Sequence, residues 1–129
     1  MSAFIPAGND AMTFPKPVQL FAGEAPVTTN RAEGGTSVKL AAYTVIAIVG
    51  DKIVAHNPAA TDGSEVAAGI LCTPLDTTAA TGVPGSWAPY YTGGDFNHAA
   101  LVWDSTLTTL AARRAEFAQT GTIKISKVL

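Results

Sequence analysis

A chain of 129 residues with one cysteine fits a single domain and leaves no room for a disulfide framework. Its composition, 47% hydrophobic and 14% charged, excludes full disorder, yet much of the apolar share is Ala, so the core of large side chains is small and self-association is favoured. A net charge of −2, with Arg113-Arg114 as the densest basic spot, argues against a nucleic-acid partner.

The opening Met1-Ser2-Ala3-Phe4-Ile5-Pro6 lacks the basic stretch and continuous apolar run of a signal peptide. Residues 1–35 read as an extended arm. Pro6, Pro15, Pro17 and Pro26 with Gly8, Gly23, Gly34 and Gly35 break helices and central strands, while Phe4, Ile5, Met12, Phe14, Val18, Leu20, Phe21 and Val27 are too apolar for an inert tail. Such an arm is expected to order against its own domain, a neighbouring subunit or a partner.

A β-rich domain is expected over 36–129. Val38 to Val49 and Lys52 to His56 read as a hairpin around Gly50-Asp51. The run from Leu40 to Val49 is about half the roughly 20 residues of a membrane span, so no membrane partner is expected. Asn57-Pro58 and Thr61-Asp62-Gly63-Ser64 supply turns, and Val66 to Leu71 reads as a third strand with Gly69 marking a close backbone approach. After a loop from Thr77 to Gly85, Trp87 to Tyr91 forms a short strand closed by Gly93-Gly94. One short α-helix is predicted from a Ser105 cap, with Leu107, Leu110, Ala111, Arg114 and Phe117 at three- and four-residue steps and Gly121 as its stop. Thr122 to Val128 then alternates Ile123 and Ile125 inward against Lys124 and Ser126, a final strand.

The residues offer little chemistry. His56 and His98 have no companion ligands at zinc-site spacing, so no metal and no cofactor are expected. Cys72 follows Ile70-Leu71 and reads as a small buried hydrophobe. Around Ser86 the nucleophile elbow would need glycines where Pro84 and Ala88 stand. Gly34-Gly35-Thr36-Ser37 lacks the lysine of a phosphate loop. Trp87, Tyr90, Tyr91, Phe96 and Trp103 are expected in the core or in an oligomer contact; a small ligand- or carbohydrate-binding module using these aromatics is the competing reading. No catalytic residue is nominated, and the chain is not expected to be an enzyme.

From Lys52-Ile53-Val54-Ala55 onward, through Thr61-Asp62-Gly63, Val66, Gly69-Ile70-Leu71, Tyr91, Gly94, Phe96 and Trp103 to Arg113-Arg114, Phe117-Ala118 and Gly121-Thr122, the sequence resembles the head decoration proteins of lambda-like tailed bacteriophages. The resemblance covers roughly residues 50–128. It implies a mainly β, β-clip-like domain with little regular structure, made in the host cytoplasm. It further implies a homotrimer on the outer surface of the virion capsid, at local three-fold positions, with the major capsid protein as partner and the expanded head stabilised against packaged DNA. A tail or fibre component is the alternative among phage proteins. The family's arm orders on the shell, and since extended segments bind by adding a strand to an exposed sheet edge, Phe14 and the proline-free stretch Val18-Gln19-Leu20-Phe21-Ala22 are expected to make that contact.

Overall fold

The computed structural model describes residues 19–118 and 120–128. Its elements in chain order are β1 (Thr28–Gly34), β2 (Lys39–Leu40), β3 (Val45–Val49), β4 (Lys52–Ala55), β5 (Gly69–Leu71), β6 (Leu75–Asp76), β7 (Trp87–Asn97), a 3-10 turn (His98–Ala100), α1 (Leu110–Glu116) and β8 (Ile123–Ser126). The fold is mainly β with one short helix, as expected.

Six strands form one sheet in the order β1-β4-β3-β5-β7-β8, and β1 also pairs with β7. The second pairing closes β1, β4, β3, β5 and β7 into a ring, with β8 attached outside it in parallel to residues 94–97 of β7. Closure removes the free edges that five separate strands would otherwise present. Strand β2 pairs with β6 in a separate two-stranded ribbon.

Period-two alternation along the ring strands supplies two cores, one on each face. Ile46, Ile53, Leu71, Ala88 and Tyr90 gather in one cluster with Ala32 and Leu75. Their chain neighbours Val45 and Ile70 join Phe96, Leu101, Phe117, Ile123 and Ile125 in the other, with Tyr91 packed against it. The inward Ile123 and Ile125 read from the sequence are both buried, with Lys124 exposed between them.

The hairpin β3–β4 forms as expected, and both turn residues take positive φ, Gly50 at 57° and Asp51 at 63°. That is the geometry of a type I′ turn, whose twist matches that of the flanking strands. The predicted strand from Val38 does not run unbroken into β3. Tyr43 sits at φ 66°, and Thr44 Oγ1 donates to the Ala41 carbonyl at 2.7 Å, so the backbone turns and Lys39–Leu40 pairs with β6 instead.

Three further boundaries differ from the sequence reading. Thr28–Gly34, assigned to the arm, is a strand of the ring, pairing antiparallel with β7 and in parallel with β4. The strand expected to close at Gly93-Gly94 continues to Asn97, because Gly93 marks close packing: a Cβ there would lie 2.6 Å from Thr28 Oγ1. The helix starts later than Ser105. Asp104 accepts from the Thr106 amide and hydroxyl, making a local turn, and the cap is Thr109, whose hydroxyl accepts from the Ala112 amide at 3.2 Å.

Candidate functional site

The two histidines and Ser86, candidates from the sequence, are engaged in local structure. His56 ends β4 with its side chain 1% exposed, and its Nε2 lies 3.0 Å from Glu116 Oε1 and 3.1 Å from the Glu65 carbonyl. The imidazole thereby ties the ring to α1, while Nδ1 is buried without a hydrogen-bond partner. His98 stands apart in the 3-10 turn, where its Nδ1 accepts from Arg113 Nη1 at 2.8 Å. Burial first, and then the charges of Arg113, Lys127 and Arg114, hold its pKa below the ordinary histidine value.

Ser86 Oγ donates to the Val83 carbonyl at 2.6 Å and closes a turn. Burial pushes the Cys72 thiol above its ordinary pKa, which suppresses the reactive thiolate. Among the described residues no group of three or more His, Cys, Asp or Glu side chains could hold a metal ion, and no helix is long and apolar enough to cross a membrane.

The Gly34-Gly35-Thr36-Ser37 loop borders an open hollow of about 290 Å³ together with Glu33, Lys52 and Thr77. Packing accounts for its first glycine, since a Cβ at Gly34 would lie 2.6 Å from Thr77 Cγ2. The buried Thr77 hydroxyl donates to the Gly35 carbonyl at 2.6 Å and accepts from the Val38 amide at 2.9 Å, pinning both ends of the loop. Glu33 and Lys52, register partners on β1 and β4, pair at 2.9 Å beside this hollow.

Of the arm residues singled out in the sequence, Phe14 and Val18 lie outside the described residues. Gln19–Ala22 runs along β7 of its own domain. The Ala22 amide donates to the Asp95 carbonyl at 2.9 Å, the Asn97 amide donates to the Leu20 carbonyl at 2.8 Å, and Asn97 Nδ2 donates to the Gln19 carbonyl at 2.8 Å. Phe21 forms an antiparallel bridge with Phe96 and packs its ring against Phe96 and Tyr91 at centroid distances of 5.3 and 5.7 Å. Leu20 is half-buried against the same cluster.

The five aromatic candidates divide. Phe96 is fully buried and Tyr90 nearly so, while Tyr91 and Trp103 are half-buried. Trp87 projects from the start of β7 at 59% exposure, and Val83 in the preceding loop is 66% exposed. Sequence reasoning missed what fixes Trp103: its indole Nε1 donates to the His98 carbonyl at 2.8 Å, and the Arg113 guanidinium lies over its ring at 5.3 Å. Arg113-Arg114 was the visible signal, but which ring lies beneath Arg113 depends on a fifteen-residue chain reversal between His98 and α1.

The described residues thus form a small β domain built on a closed ring of short strands. The family model described as bacteriophage lambda head decoration protein D matches residues 13–125, and the chain belongs to that family. No curated protein matches it. Membership in this family carries a structural role on the phage capsid and places the chain in the virion.

Proposed function

We propose that the protein binds the outer surface of the expanded head as a homotrimer at local three-fold positions and stabilises it against the pressure of packaged DNA. Family membership across residues 13–125 is the observation that carries this reading. In this reading the chain is not an enzyme and the major capsid protein is its partner. The β-clip form of the family's domain belongs to the same proposal, supported by the mainly β sheet with its single helix.

Trp87 and Val83 support a contact between subunits, because they add exposed apolar area to a domain whose own core is small. The competing ligand-binding reading needs several aromatics converging at the surface. Trp87 is exposed, but Tyr90 and Phe96 are buried within the sheet cores.

The arm provides avidity: three arms on one trimer act at high effective concentration once the first engages. Binding only the expanded shell stabilises that state by mass action. Because Thr28–Gly34 belongs to the ring and Gln19–Ala22 pairs with β7, the arm in this reading comprises the residues before Gln19, with Phe14 and Val18 as its apolar anchors and Gln19–Ala22 as its root.

The test mixes purified protein with undecorated expanded heads and images them by cryo-electron microscopy. Density at the three-fold positions is expected, and bare shells at saturating protein would refute the reading. Deleting residues 1–18 is expected to leave a folded trimer that no longer binds. A deletion through residue 35 does not test the arm, since it also removes β1 from the ring.

A further inference from the structure

Positive charge is concentrated at one end of an otherwise acidic chain. Residues 113–127 hold four of the eight Lys and Arg, Arg113, Arg114, Lys124 and Lys127, and one of the ten carboxylates. That carboxylate, Glu116, is directed to His56. Among the described residues the carboxylate contacts are Lys52–Glu33 and His56–Glu116, so none of the four cations has a carboxylate partner there.

These cations are held on one surface. Arg113 is fixed by His98, by the Leu107 carbonyl at 2.9 Å and by the Trp103 ring. Arg114 Nε donates to the Ile125 carbonyl at 2.8 Å, and Arg114 and Lys124 border one open hollow of about 390 Å³ with Ser126. Lys127 lies close enough to act on His98 together with Arg113 and Arg114. Arg114, Lys124 and Lys127 are all exposed. Asp95, the nearest acid in register with Lys124, accepts from Ser126 Oγ at 2.7 Å.

The stretch Gln19–Ala22, the root of the proposed arm, borders the same surface. The Gln19 carbonyl is held by Asn97, and the next residue, His98, is bonded to Arg113. A partner that receives the arm therefore meets these cations as well.

We propose that the face bearing Arg113, Arg114, Lys124 and Lys127 docks onto an acidic surface of the capsid subunit, so that charge orients the domain while the arm anchors it. This rests on the capsid-decorating function proposed above. Exposed charges at the rim of an interface act chiefly on encounter and register, and their effect falls with salt.

The experiment is co-sedimentation of the full chain with undecorated expanded heads at about 50 and about 300 mM salt, where screening differs strongly. The variants are Arg114→Glu with Lys127→Glu, and Lys124→Glu with Lys127→Glu; the second pair leaves the Arg114 bond to Ile125 in place should the first impair folding. Arg31→Glu with Lys39→Glu is the control for net charge. Both reversals are expected to weaken binding about tenfold or more at low salt and to flatten its salt dependence, with the control binding as wild type. Folded reversal variants that bind with wild-type affinity and salt dependence would overturn the proposal and leave capsid decoration standing. A wild-type chain that binds no heads would overturn both. Variants that keep their affinity for heads but lose binding to duplex DNA would overturn it in favour of a nucleic-acid partner.

Discussion

Replacing Gly69 by Ala should damage the fold more than any surface change, and the reason lies on β5. A Cβ at this position would stand 2.5 Å from the Tyr91 carbonyl oxygen and 2.7 Å from Tyr90 Cδ2. Both distances are roughly 1 Å inside ordinary van der Waals contact. The oxygen belongs to β7, which is hydrogen-bonded to β5, β1 and β8, and the ring belongs to a side chain in the core. Neither can retreat without opening the ladder or displacing the core, so the cost falls at the upper end for overpacking, about 3 kcal/mol. For a domain of this size that corresponds to a fall in Tm of roughly 10 °C. Urea and thermal unfolding of the variant measure it. Gly50→Ala is the comparison: its Cβ would meet nothing within 4 Å, and only its φ of 57° opposes the side chain, so about 1 kcal/mol is expected. Equal losses at the two positions, or a loss below about 0.5 kcal/mol at Gly69, would refute the close-approach argument.

Phe96→Ala empties the cluster it forms with Val45, Ile70 and Phe117 and should cost about 3–5 kcal/mol, while a double-mutant cycle with Phe21→Ala should show coupling of about 0.5–1.5 kcal/mol; additive losses would mean that Phe21 does not rest on Phe96. His98 has a folded pKa below its unfolded value, so its contribution is fully present above about pH 6.5 and is lost as pH falls from there through the folded value. Urea midpoints for wild type and His98→Asn at about pH 7.5 and about pH 5.5 should therefore converge on acidification, and a wild-type advantage that grows in acid would reverse the assigned sign. If the proposed trimer forms through the face bearing Trp87, iodide should quench Trp87 in dilute protein and lose access with rising concentration, whereas quenching independent of concentration would remove Trp87 from that proposed contact.

Much of the fold was legible because local chemistry and global structure agree. Gly50-Asp51 specifies a turn by its tolerance of positive φ, Ile123 and Ile125 state their burial by alternation, and Gly69 marks a close approach within an apolar run. What was illegible depends on partners distant in sequence. Thr28–Gly34, exposed along much of its length, carries no core pattern, and only its pairing with β4 and β7 makes it a strand. Gly93 reads as a stop until Thr28 is placed against it. Leu107 has the spacing of a helical residue, but Asp104 turns the chain around Thr106 and Thr109 begins the helix. At the site, Val18–Ala22 was expected to add a strand to the capsid's sheet; that Gln19–Ala22 pairs with β7 of its own domain follows only from three dimensions.

The attachment of that stretch also sets how force would travel through the molecule. Tension applied at Gln19 reaches the domain at β7 through three hydrogen bonds and two aromatic contacts, all within four residues. β7 is in turn laced to β1, β5 and β8, so the load spreads at once over three of the sheet's other five strands. A pull at Gln19 along the sheet would thus be carried as shear on a strand paired with three others. A tether rooted in a loop would instead peel the structure one contact at a time.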